Sequence, residues 1–178
     1  MKIVIQNIEI EVVKGDIAAQ SDLDAVVNAA NAELAPGGGV AGAIHSTAGP
    51  DLYEECKPLA PISPGQAVIT KAYGLPNEYV IHCLGPVYGR DKPEDQLLAS
   101  CYRNSLKLAE ENSIESIGFP GISTGIFGYP KEEAVEVVFN SILPELPEMS
   151  HLKKIKFVMF GDKDLQLYEN KLKEIAVG

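Results

Sequence analysis

The chain has 178 residues, a length typical of one domain with a substantial core, and its formal net charge at pH 7 is −10. Because nucleic-acid affinity depends on Lys and Arg side chains that neutralise phosphates, this acidity argues against RNA or DNA as a partner. The three cysteines are scattered and form no CxxC motif, which favours a reducing compartment. The three histidines lack the spacing of zinc ligands, and no apolar run is long enough to cross a membrane. We therefore expect one cytoplasmic domain over residues 1–178, with no metal, cofactor or membrane partner.

Apolar periodicity predicts seven strands and five helices. The predicted strands are 2–6, 8–14, 25–28, 66–71, 79–84, 116–119 and 155–160, and the predicted helices are 40–47, 51–59, 93–112, 130–143 and 162–175. Pro130 is expected at the first position of its helix, and Asp162 as the N-cap of the last helix. Strands and helices alternate from residue 25 onward. This predicts an α/β fold, a three-layer α/β/α sandwich around a central mixed, largely parallel sheet.

A triple glycine, Gly37-Gly38-Gly39, separates the buried strand at 25–28 from the helix predicted to start at Val40. Glycine has no Cβ, so the backbone can approach a ligand closely. The start of the following helix offers free N–H groups and the positive end of its dipole. The chain has no GxxxxGK[ST] motif. GGGVAG at 37–42 also fails the dinucleotide-binding GxGxxG motif, because that motif needs its first glycine directly after the strand and here Asn28 to Pro36 intervene. We predict an anion site for a phosphorylated ligand that differs from both common motifs.

A second glycine-rich stretch, at 118–130, contains no lysine or arginine, and neither does the chain from 15 to 56. Backbone N–H groups and helix ends would then have to hold any phosphates. Such an arrangement suits a diphosphate in a groove better than a highly charged polymer. In open α/β sheets ligands bind beyond the carboxyl ends of the strands, where both stretches are predicted to lie.

Five segments of the chain form a recognisable pattern: GDI at 15–17, VNAAN at 27–31, GGGVAGAIH at 37–45, VIH at 80–82 and GISTGIFGYP at 121–130. In this order and spacing they resemble the corresponding segments of the macrodomain family of ADP-ribose-binding modules. Their order and spacing fit from end to end, so the resemblance extends over nearly the whole chain. The resemblance implies a macrodomain-like fold and ADP-ribose, its derivatives and mono-ADP-ribosylated proteins as partners.

Residue roles follow from the same resemblance. Asp16 corresponds to the carboxylate that accepts from the adenine amino group, and Phe160 to the aromatic side chain that packs on adenine. Taken alone, Asp16 is typical of a turn or cap and Phe160 of a core. Asn31 corresponds to the catalytic asparagine that holds the distal ribose, whereas Asn28 is interpreted as tying down its own turn. The implied ligand-binding residues are Asp16, Ile17, Ala29, Asn31, Gly37, Gly38, Gly39, Val40, Ala41, Pro120, Ser123, Thr124, Gly125, Ile126, Phe127, Gly128 and Phe160.

The first functional hypothesis is a hydrolase that removes ADP-ribose from acidic side chains and deacetylates O-acetyl-ADP-ribose, as similar macrodomains of the MacroD and viral types do. Ala41 departs from the MacroD pattern GGGVDG, whose aspartate is proposed to activate water. Some macrodomains with GGGVAG still hydrolyse. His45, one helical turn beyond Ala41, is a substitute base in principle, but a packed or locally hydrogen-bonded histidine is the favoured interpretation.

Two alternatives remain open from the sequence. The chain is a binding module that reads ADP-ribose without turnover, or its phosphate site takes another nucleotide or a phosphorylated sugar. Residue 41 discriminates the enzyme from the reader. Adenine recognition by Asp16 opposes the third hypothesis.

Overall fold

The computed structural model describes residues 1–178 and contains one seven-stranded sheet between two layers of helices. The strands are β1 (Lys2–Ile5), β2 (Ile8–Lys14), β3 (Ala25–Ala29), β4 (Ala67–Lys71), β5 (Tyr79–Cys83), β6 (Ser116–Phe119) and β7 (Lys154–Met159). The α-helices are α1 (Gly39–Ala48), α2 (Pro50–Cys56), α3 (Glu94–Glu111), α4 (Lys131–Ile142) and α5 (Asp162–Val177). The predicted fold class is confirmed.

The sheet has the order β1-β2-β7-β6-β3-β5-β4. Its five inner strands run parallel, and the edge strands β1 and β4 are antiparallel to their neighbours. The carboxyl ends of β2, β3, β6 and β7 therefore meet at one edge of the sheet. Every segment with a predicted ligand contact follows one of these four strands.

Strand β3 is buried on both faces, as its continuous apolar run predicts. Ala25 and Val27 belong to a core of 29 buried residues on one side of the sheet, and Val26 belongs to a second core of 16 on the other. Residues from α3, α4 and α5 fill the larger core, and residues from α1 and α2 fill the smaller one. This double burial holds the exit of β3 in place, where the chain turns toward the triple glycine.

Differences from the sequence-based prediction are confined to element ends. Asp162 was expected to be the N-cap of the last helix, and this is wrong: Gly161 occupies the cap position and Asp162 is the first helical residue. Its carboxylate instead accepts from Lys14 Nζ at 2.7 Å. Pro130 is the N-cap of α4 rather than its first residue, because the helix begins at Lys131. None of the helices combines the length and the apolar character that crossing a membrane requires.

Candidate ligand-binding site

A cleft of about 480 Å³ opens at the carboxyl edge of the sheet. Its wall comes from the segments after β2, β3, β6 and β7 and from the first turns of α4 and α5. The lining residues are Gly15, Asp16, Ile17, Gly39, Val40, Ala43, Pro120, Gly121, Thr124, Gly125, Lys131, Val158, Met159, Phe160, Gly161 and Asp164.

The structure brings together eight of the seventeen predicted contacts in this wall: Asp16, Ile17, Gly39, Val40, Pro120, Thr124, Gly125 and Phe160. The other nine lie in the same segments or next to them without lining the cleft: Ala29, Asn31, Gly37, Gly38, Ala41, Ser123, Ile126, Phe127 and Gly128. Their contacts with a ligand stay predictions.

The first loop, at 37–41, presents a row of backbone N–H groups that donate to no protein acceptor. The first N–H groups of a helix have no intrahelical partner, and here Gly38 at the N-cap supplies no side chain to bond them. Gly39 has φ +57°, a left-handed conformation that glycine adopts without a steric penalty. The row is therefore free to bind oxygen atoms of a ligand.

The second loop, at 121–127, contributes another row of N–H groups without a protein acceptor. Two backbone hydrogen bonds close the loop, from Gly128 N to Gly125 O at 3.0 Å and from Tyr129 N to Ser123 O at 2.8 Å. Residues of both loops line the cleft, so the two rows flank one space.

Three helices begin at this cleft, but their electrostatic contributions differ. The first turn of α4 contains Glu132 and Glu133, and that of α5 contains Asp162 and Asp164. The first turn of α1 contains no acidic residue. Carboxylates in a first turn offset the positive end of the helix dipole. The start of α1 is therefore the best anion position of the three.

Lys131 is a cleft residue that the sequence analysis missed. It is the sole basic residue of the lining, and its Nζ lies 3.3 Å from Asp164 Oδ2. The two loops carry no lysine or arginine, as the sequence shows, and Lys131 adds a basic side chain to the cleft from outside them. Its position directly after Pro130, at the start of a predicted helix, was a signal that could have found it.

Asp16 and Phe160 line the same cleft. Asp16 Oδ1 accepts from Ala18 N at 2.9 Å and so caps the short 3-10 helix at Ile17–Ala19. Its second carboxylate oxygen has no protein partner, so the cap and a ligand contact are compatible. Phe160 directly follows β7 and is 90% exposed, so the interpretation of Phe160 as a core residue is wrong. An exposed phenyl ring in a cleft wall is suited to stacking on a planar ligand group.

Asn31 is held by the backbone of Ala35 through both atoms of its amide. Nδ2 donates to Ala35 O at 2.8 Å, and Oδ1 accepts from Ala35 N at 2.9 Å. An amide has two N–H groups and two lone pairs on oxygen, so one of each remains for a ligand. The side chain is therefore pre-oriented beside the first loop.

Asn28 does not tie down its own turn, and that interpretation is wrong. The side chain is fully buried, and Nδ2 lies 3.1 Å from His82 Nδ1 on the neighbouring strand β5. His82 Nδ1 must then accept, so Nε2 carries the proton and donates to Thr70 Oγ1 at 2.9 Å. Burial, together with nearby His45, lowers the pKa of His82 to about 3, which keeps the ring neutral. The network fixes β3, β4 and β5 beneath the first loop.

His45 lines a second, smaller cleft of about 330 Å³, together with Gly37 and Gly42, and does not line the main one. The ring is buried and neither nitrogen has a hydrogen-bond partner. Burial lowers its pKa. The favoured interpretation of His45 as a packed side chain is confirmed, but its ring makes no local hydrogen bond. Its place outside the main cleft offers no support for a role as substitute base.

Comparison with known proteins matches residues 27–138 to the family model described as Macro domain. A macro domain-containing protein of Chlorobaculum tepidum is 48% identical over 167 residues, covering 93% of this chain and 96% of that protein. An O-acetyl-ADP-ribose deacetylase of Klebsiella pneumoniae is 46% identical over 167 residues, with coverage of 91% and 95%. The Oceanobacillus iheyensis macrodomain with ADP superposes with a TM-score of 0.93 at 38% identity, covering 99% of this chain and 96% of that one.

Proposed function

The chain belongs to the macrodomain family, and from this premise we propose that it binds ADP-ribose in the main cleft and hydrolyses ADP-ribosyl esters. The observation that carries the proposal is the pair of unpaired N–H rows on the loops at 37–41 and 121–127, which flank the uncapped start of α1. Two such rows in one cleft suit the two phosphates of a diphosphate. The relatives that are named for O-acetyl-ADP-ribose or that hold ADP support the same class of ligand.

The adenine group occupies the end of the cleft formed by Asp16 and Phe160. Asp16 accepts from the adenine amino group with the carboxylate oxygen that Ala18 leaves free. Phe160 stacks on the ring with the face that it exposes to solvent. The diphosphate then lies between the two loops, and the distal ribose extends toward Asn31 and Phe127.

Hydrolysis in this arrangement depends on positioning rather than on a strong nucleophile. The two N–H rows hold the diphosphate, and Asn31 holds the ribose with the N–H and lone pair that Ala35 leaves free. A water molecule between diphosphate and ribose adds to the ester carbonyl, and a phosphate oxygen accepts its proton. The bond between the acyl carbon and the ribose oxygen then breaks, and the phosphate returns its proton to that oxygen, which releases the carboxylic acid and the ribose hydroxyl.

Ala41 supplies no base, so a second candidate function is a reader that binds ADP-ribose without turnover. Ala41 is buried, and a Cβ built at Gly37 would lie 3.9 Å from its methyl group. Its side chain therefore faces the first loop from within the protein. Alanine has no titratable group, so any hydrolysis by this chain must take its proton acceptor from the substrate phosphate.

The experiment is incubation with a protein mono-ADP-ribosylated on glutamate, with release of ADP-ribose as the readout and binding of free ADP-ribose measured alongside. The variants are Asn31→Ala and Asn31→Asp. The aspartate keeps an acceptor for Ala35 N but loses the amide donor to Ala35 O and to the ribose, whereas the alanine loses both hydrogen bonds to Ala35. We expect release by the native protein and little release by either variant.

The two measurements distinguish the candidate functions. Binding of ADP-ribose without release would establish the reader and exclude the hydrolase. Neither binding nor release would overturn the proposed ligand itself. Native release rates in both Asn31 variants would remove Asn31 from the mechanism.

A further inference from the structure

The segment that follows β5 touches the second loop at its start. Gly85 is buried directly against Ser123: a Cβ built on Gly85 would overlap Ser123 Oγ and would lie 2.7 Å from Ile122 Cγ2. Lack of space, and not backbone conformation, excludes a side chain at position 85, because the φ of Gly85 is not positive. Only glycine fits beneath this loop.

Ser123 itself is in an unusual state. It is a non-glycine residue at φ +65°, and its buried Oγ has no hydrogen-bond partner. Such a conformation costs energy and persists only where surrounding structure holds it. Because the hydroxyl faces Gly85, the backbone of Ser123 and not its side chain is available to a ligand.

The same segment touches the second loop again at its end. Tyr88 N donates to Phe127 O at 2.9 Å, and the Tyr88 ring packs edge-on against the Tyr129 ring with centroids 5.0 Å apart. Tyr88 also donates to Glu133 through its hydroxyl at 3.3 Å. The loop is thus supported on both sides of its unpaired N–H row.

This supporting segment is anchored independently of the loop. Cys101 Sγ donates to Leu84 O at 3.2 Å, and Leu84 N donates to Gln66 O. Further along, Val87 N donates to Asp91 Oδ2 at 2.8 Å, and Asp91 N returns to Val87 O at 2.9 Å. Residues 84–91 are therefore a fixed surface against which the loop rests.

We propose that residues 84–91 act as a brace that sets the position of the second loop, and that Gly85 is a positioning residue for diphosphate binding. The inference rests on the proposed function, since ADP-ribose is the ligand used to detect it. The brace holds Ser123 in its left-handed conformation from below and Phe127 by its carbonyl. The N–H groups between them are thereby fixed before the ligand arrives.

The test is the affinity for ADP-ribose of Gly85→Ala, measured by calorimetry together with the melting temperature. Misplacement of a binding loop by about 1 Å has large effects, so we expect the Kd to rise about tenfold or more. The matched control is Gly74→Ala, whose Cβ would lie 2.7 Å from Thr47 O, away from the cleft. It loses thermal stability but keeps native affinity.

A double-variant cycle with Ser123→Ala tests the contact itself. Removing Oγ relieves the overlap with a Cβ at position 85, so the effect of Gly85→Ala should shrink when measured against Ser123→Ala alone. Equal effects in both backgrounds would exclude Ser123 as the residue through which Gly85 acts, and native affinity in Gly85→Ala would overturn the brace. A native protein that does not bind ADP-ribose would instead overturn the proposed function.

Discussion

Asp16 caps a short helix, and the proposed function gives the same carboxylate a second role as the adenine acceptor. One oxygen caps the backbone of Ala18, and the second is free toward the cleft. A helix cap and an adenine contact are therefore compatible roles for Asp16, although the sequence presents them as alternatives. The geometry gives the two roles separate experimental signatures.

Substitution at Asp16 should separate affinity from stability. Asp16→Ala loses the cap, which costs about 1 kcal/mol, and it also loses the adenine acceptor. Asp16→Asn keeps an oxygen for Ala18 N, but its amide N–H groups then face the adenine amino group. We expect both variants to lose ADP-ribose affinity by about tenfold or more, and only the alanine variant to lose stability in chemical denaturation. Native affinity in Asp16→Asn would contradict the assigned adenine contact.

His82 makes stability depend on pH. Its folded-state pKa, lowered by burial to about 3, lies below the value of 6.5 for an unperturbed histidine. Above that value both states are neutral and the group has no effect. Below it the unfolded chain binds a proton that the folded chain does not, so stability falls by up to about 1.4 kcal/mol per pH unit.

Denaturant titrations at about pH 7 and pH 5 should therefore show a loss of unfolding free energy on acidification. Buried His45, whose pKa is also lowered, acts in the same direction. Asp22 has a pKa of about 2, so its carboxylate does not contribute to the change between these two pH values. The control His151→Gln removes an exposed histidine and should leave the loss unchanged. Equal stability at the two pH values would contradict a neutral, buried His82.

Among the elements, α1 is the one whose start is suited to an anion. Its N-cap is a glycine with extended φ and ψ, and no side chain bonds its first N–H groups. Most helices gain stability from an Asp, Asn, Ser or Thr at this position. Helix α1 lacks this stabilisation because its N-cap is Gly38, and its first N–H groups therefore have no side-chain partner.

Gly38→Asp should raise stability and lower affinity together. A Cβ at Gly38 meets nothing within 4 Å, so the side chain fits and can cap the helix. A carboxylate there favours the helix by about 0.5–1 kcal/mol and repels phosphate. We expect a higher melting temperature and an ADP-ribose Kd increased by about tenfold or more.

Gly38→Asn is the matched control for charge. It caps the same N–H groups without a carboxylate, so its affinity should fall less than that of the aspartate variant. If Gly38→Asp bound ADP-ribose as tightly as the native chain, the diphosphate could not lie at the start of α1.

For the whole molecule, the fold was predictable and much of the site was not. Alternating strands and helices, and the apolar run at β3, identified the sandwich because they are local in sequence. The contacts of Lys131, of the brace with the second loop and of Asn28 with His82 join residues that are distant in the chain. Sequence periodicity does not encode such contacts. The two glycine loops were predictable because each carries its chemistry within a few consecutive residues.

Calorimetric titration with ADP-ribose and with AMP, in buffer containing a chelator, tests the central claim most directly. The claim is that backbone N–H groups on two loops hold a diphosphate. AMP offers the adenine group and one phosphate, so it can engage only part of this arrangement. We predict one ADP-ribose bound per chain, at an affinity about a hundredfold or more above that of AMP. Equal affinities, or no binding of ADP-ribose, would contradict the account.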